Sequence, residues 1–274
     1  TTGMTKRSSL DDRQRAQVGE LAGPKPSVIY EVIRSEGDHE LSRPFSALWW
    51  SGVAAGLAIS TSLMCKGFLV AVLPDAAWAP AITSFGYAVG FLIVILGRMQ
   101  LFTENTITPV LSLFLEPRRA NFVRTARLWG IVFAANMVGC FVAAVMFATV
   151  KMVPPAQLAG ILEVARHQAE VSAFEHLVWG MPAGFMLASL VWVLPRLDGA
   201  GEVLAIIVVT YMIGLGDLSH VVAGSTGLFV AVLSGELGLL DALLTGTLPS
   251  LVGNVIGGTG MFAALTYAQL REEL

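Results

Sequence analysis

Charge is what this sequence has least of. Only 14% of its 274 residues are Asp, Glu, Lys or Arg, against about 25% in an ordinary soluble domain. The deficit is uneven: residues 1–44 hold seven Lys or Arg and seven Asp or Glu, and long stretches beyond are nearly uncharged. That distribution excludes a soluble globular fold, and with no basic stripe it gives no surface for nucleic acid. Cysteine is almost as scarce. Cys65 and Cys140 sit in separate apolar runs, which reads as two small packing residues rather than a disulfide or a thiolate metal site. None of the four histidines pairs at metal-ligand spacing. There is also no nucleophile elbow and no glycine-rich phosphate loop after a strand, so no enzyme chemistry, metal or other cofactor is expected. The polar N-terminus carries no cleavable signal pattern.

What is abundant is apolar: 55% of the residues, with a mean hydropathy of +0.70. A spanning helix needs roughly 20 such residues. Runs of that length occur near 45–73, 84–115, 122–150, 172–195, 203–234 and 244–269, and the second and fifth are longer and interrupted by polar residues. Six spans are therefore expected. The connecting cations orient them. The segment before the first span is basic, Arg118, Arg119, Arg124 and Arg127 follow the second, Arg196 follows the fourth and Arg271 the sixth. The opposite loops carry only Lys66, Lys151 and Arg166. Both termini are expected in the cytoplasm. The expected organisation is a flexible polar segment (1–24), an amphipathic helix on the cytoplasmic surface (25–44), a six-helix channel domain (45–270) and a short cytoplasmic tail (271–274). In the second of these, Val28, Ile29, Val32 and Ile33 recur at helical spacing, as in a helix lying in the membrane interface.

The two halves share features in the same order. Gly52-Val-Ala-Ala-Gly56 is matched by Gly180-Met-Pro-Ala-Gly184, and Asn136-Met-Val-Gly139 by Asn254-Val-Ile-Gly257. Between them lie the polar interruptions LFTENT (101–106) and GDLSHVVAGS (216–225). Thr103 precedes Asn136 by 33 positions, and His220 precedes Asn254 by 34. Small-xxx-small alone is ordinary helix packing; three features in order in both halves indicate a repeat. Three spans per half make the second half insert upside down, and discontinuous helices in such repeats meet at a binding site near the midplane. Backbone that is not helical is tolerated at that depth only inside protein or along a cavity. The two breaks are therefore expected to face a pore.

These residues resemble the formate/nitrite transporter family, and within it the divergent YfdC-like branch. The resemblance rests on LFTENTITPV, GLGDLSHVVAG, VGNVIGG, GMPAGFMLASLVWV and KPSVIYEVIRSEG, over roughly residues 25–270. It implies an all-α membrane protein: six transmembrane helices in two inverted three-helix repeats, the second and fifth broken, with an aquaporin-like protomer. It further implies a homopentamer in the bacterial inner membrane, one pore per subunit, passing small monovalent weak-acid anions, with protons as possible co-substrates. By position Thr103 matches the family's first-loop threonine, His220 its central pore histidine and Asn254 the asparagine beside it. Three positions depart from members that carry formate or nitrite. Ser219 and Gly224 stand where those have Glu and Asn, and Gln168 stands where they have a vestibule lysine, so the funnel has less attraction for an anion.

His220 lies in a membrane run, where ionisable groups are costly and tend to be functional. Thr103 is expected opposite it, with Phe102 and Leu218 as apolar constrictions beside the breaks. Asp217 has two open readings, a cap on the following helix or a pore residue. Glu104 is expected to be structural or a salt-bridge partner, with Arg98 as the candidate cation, while Glu175 and His176 are expected at the water interface. The free N–H groups of the half-helices would favour an anion, and a proton shared by His220 would carry it past the apolar rings as a neutral acid. Two other functions compete: a pore for small neutral solutes, and a membrane scaffold or sensor that transports nothing.

Overall fold

The structure, a computed structural model, describes residues 11, 13, 14, 17 and 23–273. The expectation for segment 1–24 therefore falls almost wholly outside the described residues. In chain order the helices are α1 (Pro26–Ser42), α2 (Phe45–Val72), α3 (Ala79–Leu96), α4 (Thr108–Leu115), α5 (Arg119–Ala148), α6 (Pro155–Glu170), α7 (Ala173–Val193), α8 (Gly199–Leu215), α9 (Val221–Leu233) and α10 (Leu239–Leu270). Five are apolar and long enough to cross a bilayer: α2, α3, α5, α7 with its short extension to Arg196, and α10. Large apolar side chains such as Trp50, Phe174 and Leu265 point outward, each more than 60% exposed, which lipid tolerates and water does not. The chain is a multi-pass helical membrane protein.

Glycines set the tightest contacts. Gly52 and Gly56 of α2 lie against Ala135, Asn136 and Gly139 of α5, and Gly180 and Gly184 of α7 against Gly253 and Asn254 of α10. A Cβ on Gly56 would run into the carbonyl of Asn136, and one on Gly184 into that of Asn254. Backbone touching backbone is how helices associate where lipid removes the hydrophobic drive between them.

Two apolar runs are divided. α3 stops at Leu96, and α4 begins at Thr108 after a single 3-10 turn, Glu104–Thr106; α8 stops at Leu215 and α9 begins at Val221. The two stops are built alike. The Met99 N–H reaches back to the Val94 carbonyl, and the Leu218 N–H to that of Ile213, both at 3.0 Å. The residues just before, Arg98 and Asp217, both have φ +48°. This is a Schellman ending, which puts a left-handed residue just past the helix. Glycine usually fills that position; an arginine and an aspartate fill it here.

α1 and α6 mark opposite sides of the molecule. Gly37 of α1 lies directly on Thr108 of α4, and the Tyr30 hydroxyl donates to the Leu111 carbonyl at 2.9 Å. The buried stripe of α1 is Ile29, Tyr30, Ile33, Gly37 and Leu41. Val28 and Val32, expected with Ile29 and Ile33 on one face, are exposed. α6, which the span pattern did not anticipate, packs along the C-terminal half of α2, where Gly67 meets Ile161. It also corrects the place of Lys66, which sits inside α2 and not in a loop.

Candidate functional site

Two buried asparagines hold the divided segments. Asn136, on α5, accepts from the Phe102 N–H at 2.9 Å and donates through Nδ2 to the carbonyls of Gly52 and Gln100, both at 2.8 Å. Asn254, on α10, accepts from the Val221 N–H and donates to the carbonyls of Gly180 and Ser219, all at 2.8 Å. The bonding is the same, residue for residue, and both side chains are fully buried. It aligns Phe102 with Val221 and Gln100 with Ser219. In that register His220 corresponds to Leu101, although in space it meets Thr103.

His220 and Thr103 are in contact between the two divided segments. His220 Nε2 lies 2.8 Å from Thr103 Oγ1, and Nδ1 accepts the Ala223 N–H at 3.1 Å. A nitrogen that accepts carries no proton, so these bonds assign the neutral tautomer with its proton on Nε2, donated to Thr103. That leaves the Thr103 hydroxyl proton free for another acceptor. The Phe91 ring meets the imidazole edge-on, with centroids 5.0 Å apart; nothing in the local sequence marked Phe91. His220 is thus also the cap of α9, a role Asp217 does not take. The expected free amides are largely used as well, since Val221 N–H goes to Asn254 and Ala223 N–H to His220.

On the α6 side a cavity of about 50 Å³ runs down to His220, lined by Lys66, Gln168, His176, Asp217, Leu218 and Ser219 among others. Asp217 faces Lys66 and His167 there: Lys66 Nζ is 3.2 Å from Oδ1, and His167 Nε2 is 2.9 Å from Oδ2. His176 is buried rather than interfacial. Its Nδ1 lies 3.0 Å from Ser219 Oγ and 3.2 Å from Ser250 Oγ. Its neighbour Glu175 closes a capping box with Ser172 at the start of α7. Gln168 Oε1 and His176 Nε2 are buried with no hydrogen-bond partner among the described residues. Farther out, Arg166 pairs with Glu236 at 2.7 Å and holds that carboxyl below its ordinary range.

On the α1 side Phe102 is buried between Trp129 and Phe133. Leu218 and Phe102 therefore lie on different sides of the His220–Thr103 pair. The candidate Glu104–Arg98 pair does not form. Arg98 is 87% exposed and reaches Glu36 at 3.9 Å, while Glu104 Oε1 is buried without a partner among the described residues. Gln100 links this region to α1 by donating to Glu40 at 2.6 Å. Cys65 and Cys140 are free thiols.

The sequence pattern of the formate/nitrite transporter family matches residues 27–268. The chain belongs to that family. Inner membrane protein YfdC of Escherichia coli is 35% identical over 246 residues, 90% of this chain and 79% of YfdC. Formate channel BtFdhC of Bacillus thuringiensis is 23% identical, covering 90% of this chain and 95% of BtFdhC. Among solved structures, an ion channel of the same family superimposes with a TM-score of 0.78 at 16% identity, over 89% of this chain and 99% of that one. A pentameric formate channel with formate bound gives 0.70 at 16% identity, over 83% and 98%. At that identity the structures share the fold.

Proposed function

We propose that this family member is a channel or transporter for small monovalent weak-acid anions of the formate and nitrite class, working as a homopentamer with one pore per subunit. The single observation that carries this is the His220–Thr103 pair, 2.8 Å apart, at the floor of a cavity between two divided helices. In this reading α3 with α4, and α8 with α9, each form one broken span. Six spans then form two inverted three-helix repeats, and the matched bonds of Asn136 and Asn254 support that symmetry. The cations of 118–127, on the α1 side, support a cytoplasmic α1 side, and with it cytoplasmic termini and a multi-pass place in a bacterial inner membrane.

The bonds suggest how a charge crosses. A bare anion is expensive to desolvate, and Leu218 and Phe102 present apolar surface on either side of the pair. His220 donates Nε2–H to Thr103, which polarises the threonine hydroxyl toward a solute oxygen. Thr103 then assists by donating its hydroxyl proton in a hydrogen bond to the solute without giving it up, since Nδ1 stays committed to the α9 cap and His220 keeps Nε2–H. The proton that neutralises the anion enters with it from solution. Stopped-flow uptake of formate and nitrite into proteoliposomes tests the reading, and rates no higher than in protein-free liposomes would end it.

A second reading has its own observation. Asp217 neutralises Lys66, and Gln168 carries no charge, so the funnel has little net attraction for anions. That favours a pore for small neutral solutes, which osmotic swelling with neutral solutes separates from anion flux.

A further inference from the structure

We infer that Lys66 and His167 form an anion seat at the mouth of the cavity, and that the Asp217 carboxylate occupies it as a built-in competitor. The inference rests on the reading of the chain as an anion pore.

Three observations meet there. Two nitrogen groups from different helices, Lys66 Nζ of α2 and His167 Nε2 of α6, converge on one carboxylate at 3.2 and 2.9 Å, each on its own oxygen. A small carboxylate such as formate offers the same two oxygens. Beyond the carboxylate, the lining continues through Gln168, whose Oε1 is buried without a partner among the described residues, to His220. The seat is therefore in line with the path and not on an unrelated surface.

The third observation is the backbone. Asp217 occupies the left-handed position of the α8 ending, φ +48°, where glycine would be the unstrained choice. Arg98 holds the corresponding position of α3, and its side chain is 87% exposed. The fold therefore needs a left-handed residue at this point and does not need a carboxylate. The Asp217 side chain is 51% exposed and that of Lys66 17%. A half-exposed carboxylate held by a partly buried cation can be displaced, because an ion pair in contact with water is a shallow trap. Lys66 thus stands in for the cation absent at Gln168, on another helix. Asp217 sets how strongly that cation draws an anion from solution.

The test uses the full-length protein with formate and bromide as probes. Asp217→Asn keeps a residue that accepts the left-handed conformation and removes the competing charge. Formate uptake at subsaturating concentration and low salt should rise about threefold, the effect of one unit charge several ångströms away in a wet site. The gain should fade above physiological ionic strength. Lys66→Met should lower uptake, and Lys66→Met with Asp217→Asn should show no gain. Crystals of Asp217→Asn soaked in bromide should show anomalous density between Lys66 and His167 that the wild type lacks. Unchanged uptake in Asp217→Asn, with wild-type formate flux intact, overturns the seat alone. Absent bromide density in Asp217→Asn also overturns it. Loss of all wild-type anion flux refutes the pore reading instead, and the bromide result still decides the seat.

Discussion

Asn254→Ala should cost far more than an ordinary asparagine truncation, and the structure says why. The side chain is fully buried and makes three bonds of 2.8 Å. They are not equivalent. The Gly180 carbonyl lies inside α7 and keeps a helical partner. The Val221 N–H opens α9, where no helical carbonyl is available, and the Ser219 carbonyl belongs to the link before it. Truncation strands both of these, and each stranded buried group costs about 1–3 kcal/mol. Membrane proteins sit low in such ranges, since hydrogen bonds between their helices are worth about 0.6 kcal/mol on average. The expected loss is about 2–4 kcal/mol. Asn136→Ala, which strands the Phe102 N–H and the Gln100 carbonyl, should cost the same within about 1 kcal/mol by the same count. Asn121, whose side chain donates to the Glu116 carbonyl at the exposed start of α5, is the control, and Asn121→Ala should stay within about 0.5 kcal/mol. Reversible denaturation of the purified protein in bicelles measures all three. If Asn254→Ala and Asn136→Ala fall no further than Asn121→Ala, the claim that these asparagines hold the divided segments is wrong.

Other consequences are more local. Gly184→Ala places a Cβ 2.7 Å from Asn254 Cα and should destabilise by about 1–3 kcal/mol through overpacking; Gly224→Ala, with open space around it, should be neutral or slightly stabilising in the same denaturation assay. Tyr30→Phe removes the hydroxyl bond to Leu111 and should loosen α1 by about 1 kcal/mol, visible as faster hydrogen exchange over 26–42. Gln168→Lys adds a cation to the cavity lining and should raise formate uptake at low salt, with the gain shrinking over a Debye length of about 8 Å at physiological ionic strength.

Much of the architecture was visible in the residues, for identifiable reasons. Membrane spans announce themselves because lipid demands apolar side chains over a fixed length. The interruptions at 101–106 and 216–225 stood out because polar residues are costly there unless something satisfies them. His220, Thr103 and Asn254 come together as the two-half pattern implied. What stayed hidden depends on partners far along the chain. His176 looked interfacial until Ser219 and Ser250 closed around it, and Asp217 stayed open between a cap and a pore residue because nothing local reveals Lys66, 151 positions away. α6 escaped a search for spans because only one stripe of it, Gly160, Ile161, Val164 and Ala165, is buried. A search for helical periodicity over 155–170 would have found it. The match in register was also misjudged. Thr103 and His220 touch, yet the asparagine bonds align His220 with Leu101, because two residues that meet in space need not hold equivalent places in their segments.

The account turns on an anion passing the Thr103–His220 pair, and the direct measurement is formate uptake into proteoliposomes by wild type, Thr103→Val and His220→Phe. Thr103→Val keeps the shape and removes the hydroxyl that would meet the solute; His220→Phe removes the donor behind it. Both should reduce uptake at least tenfold, about 1.4 kcal/mol or more at the barrier, in protein that still assembles as wild type does. Wild-type rates in both assembled variants would contradict the account.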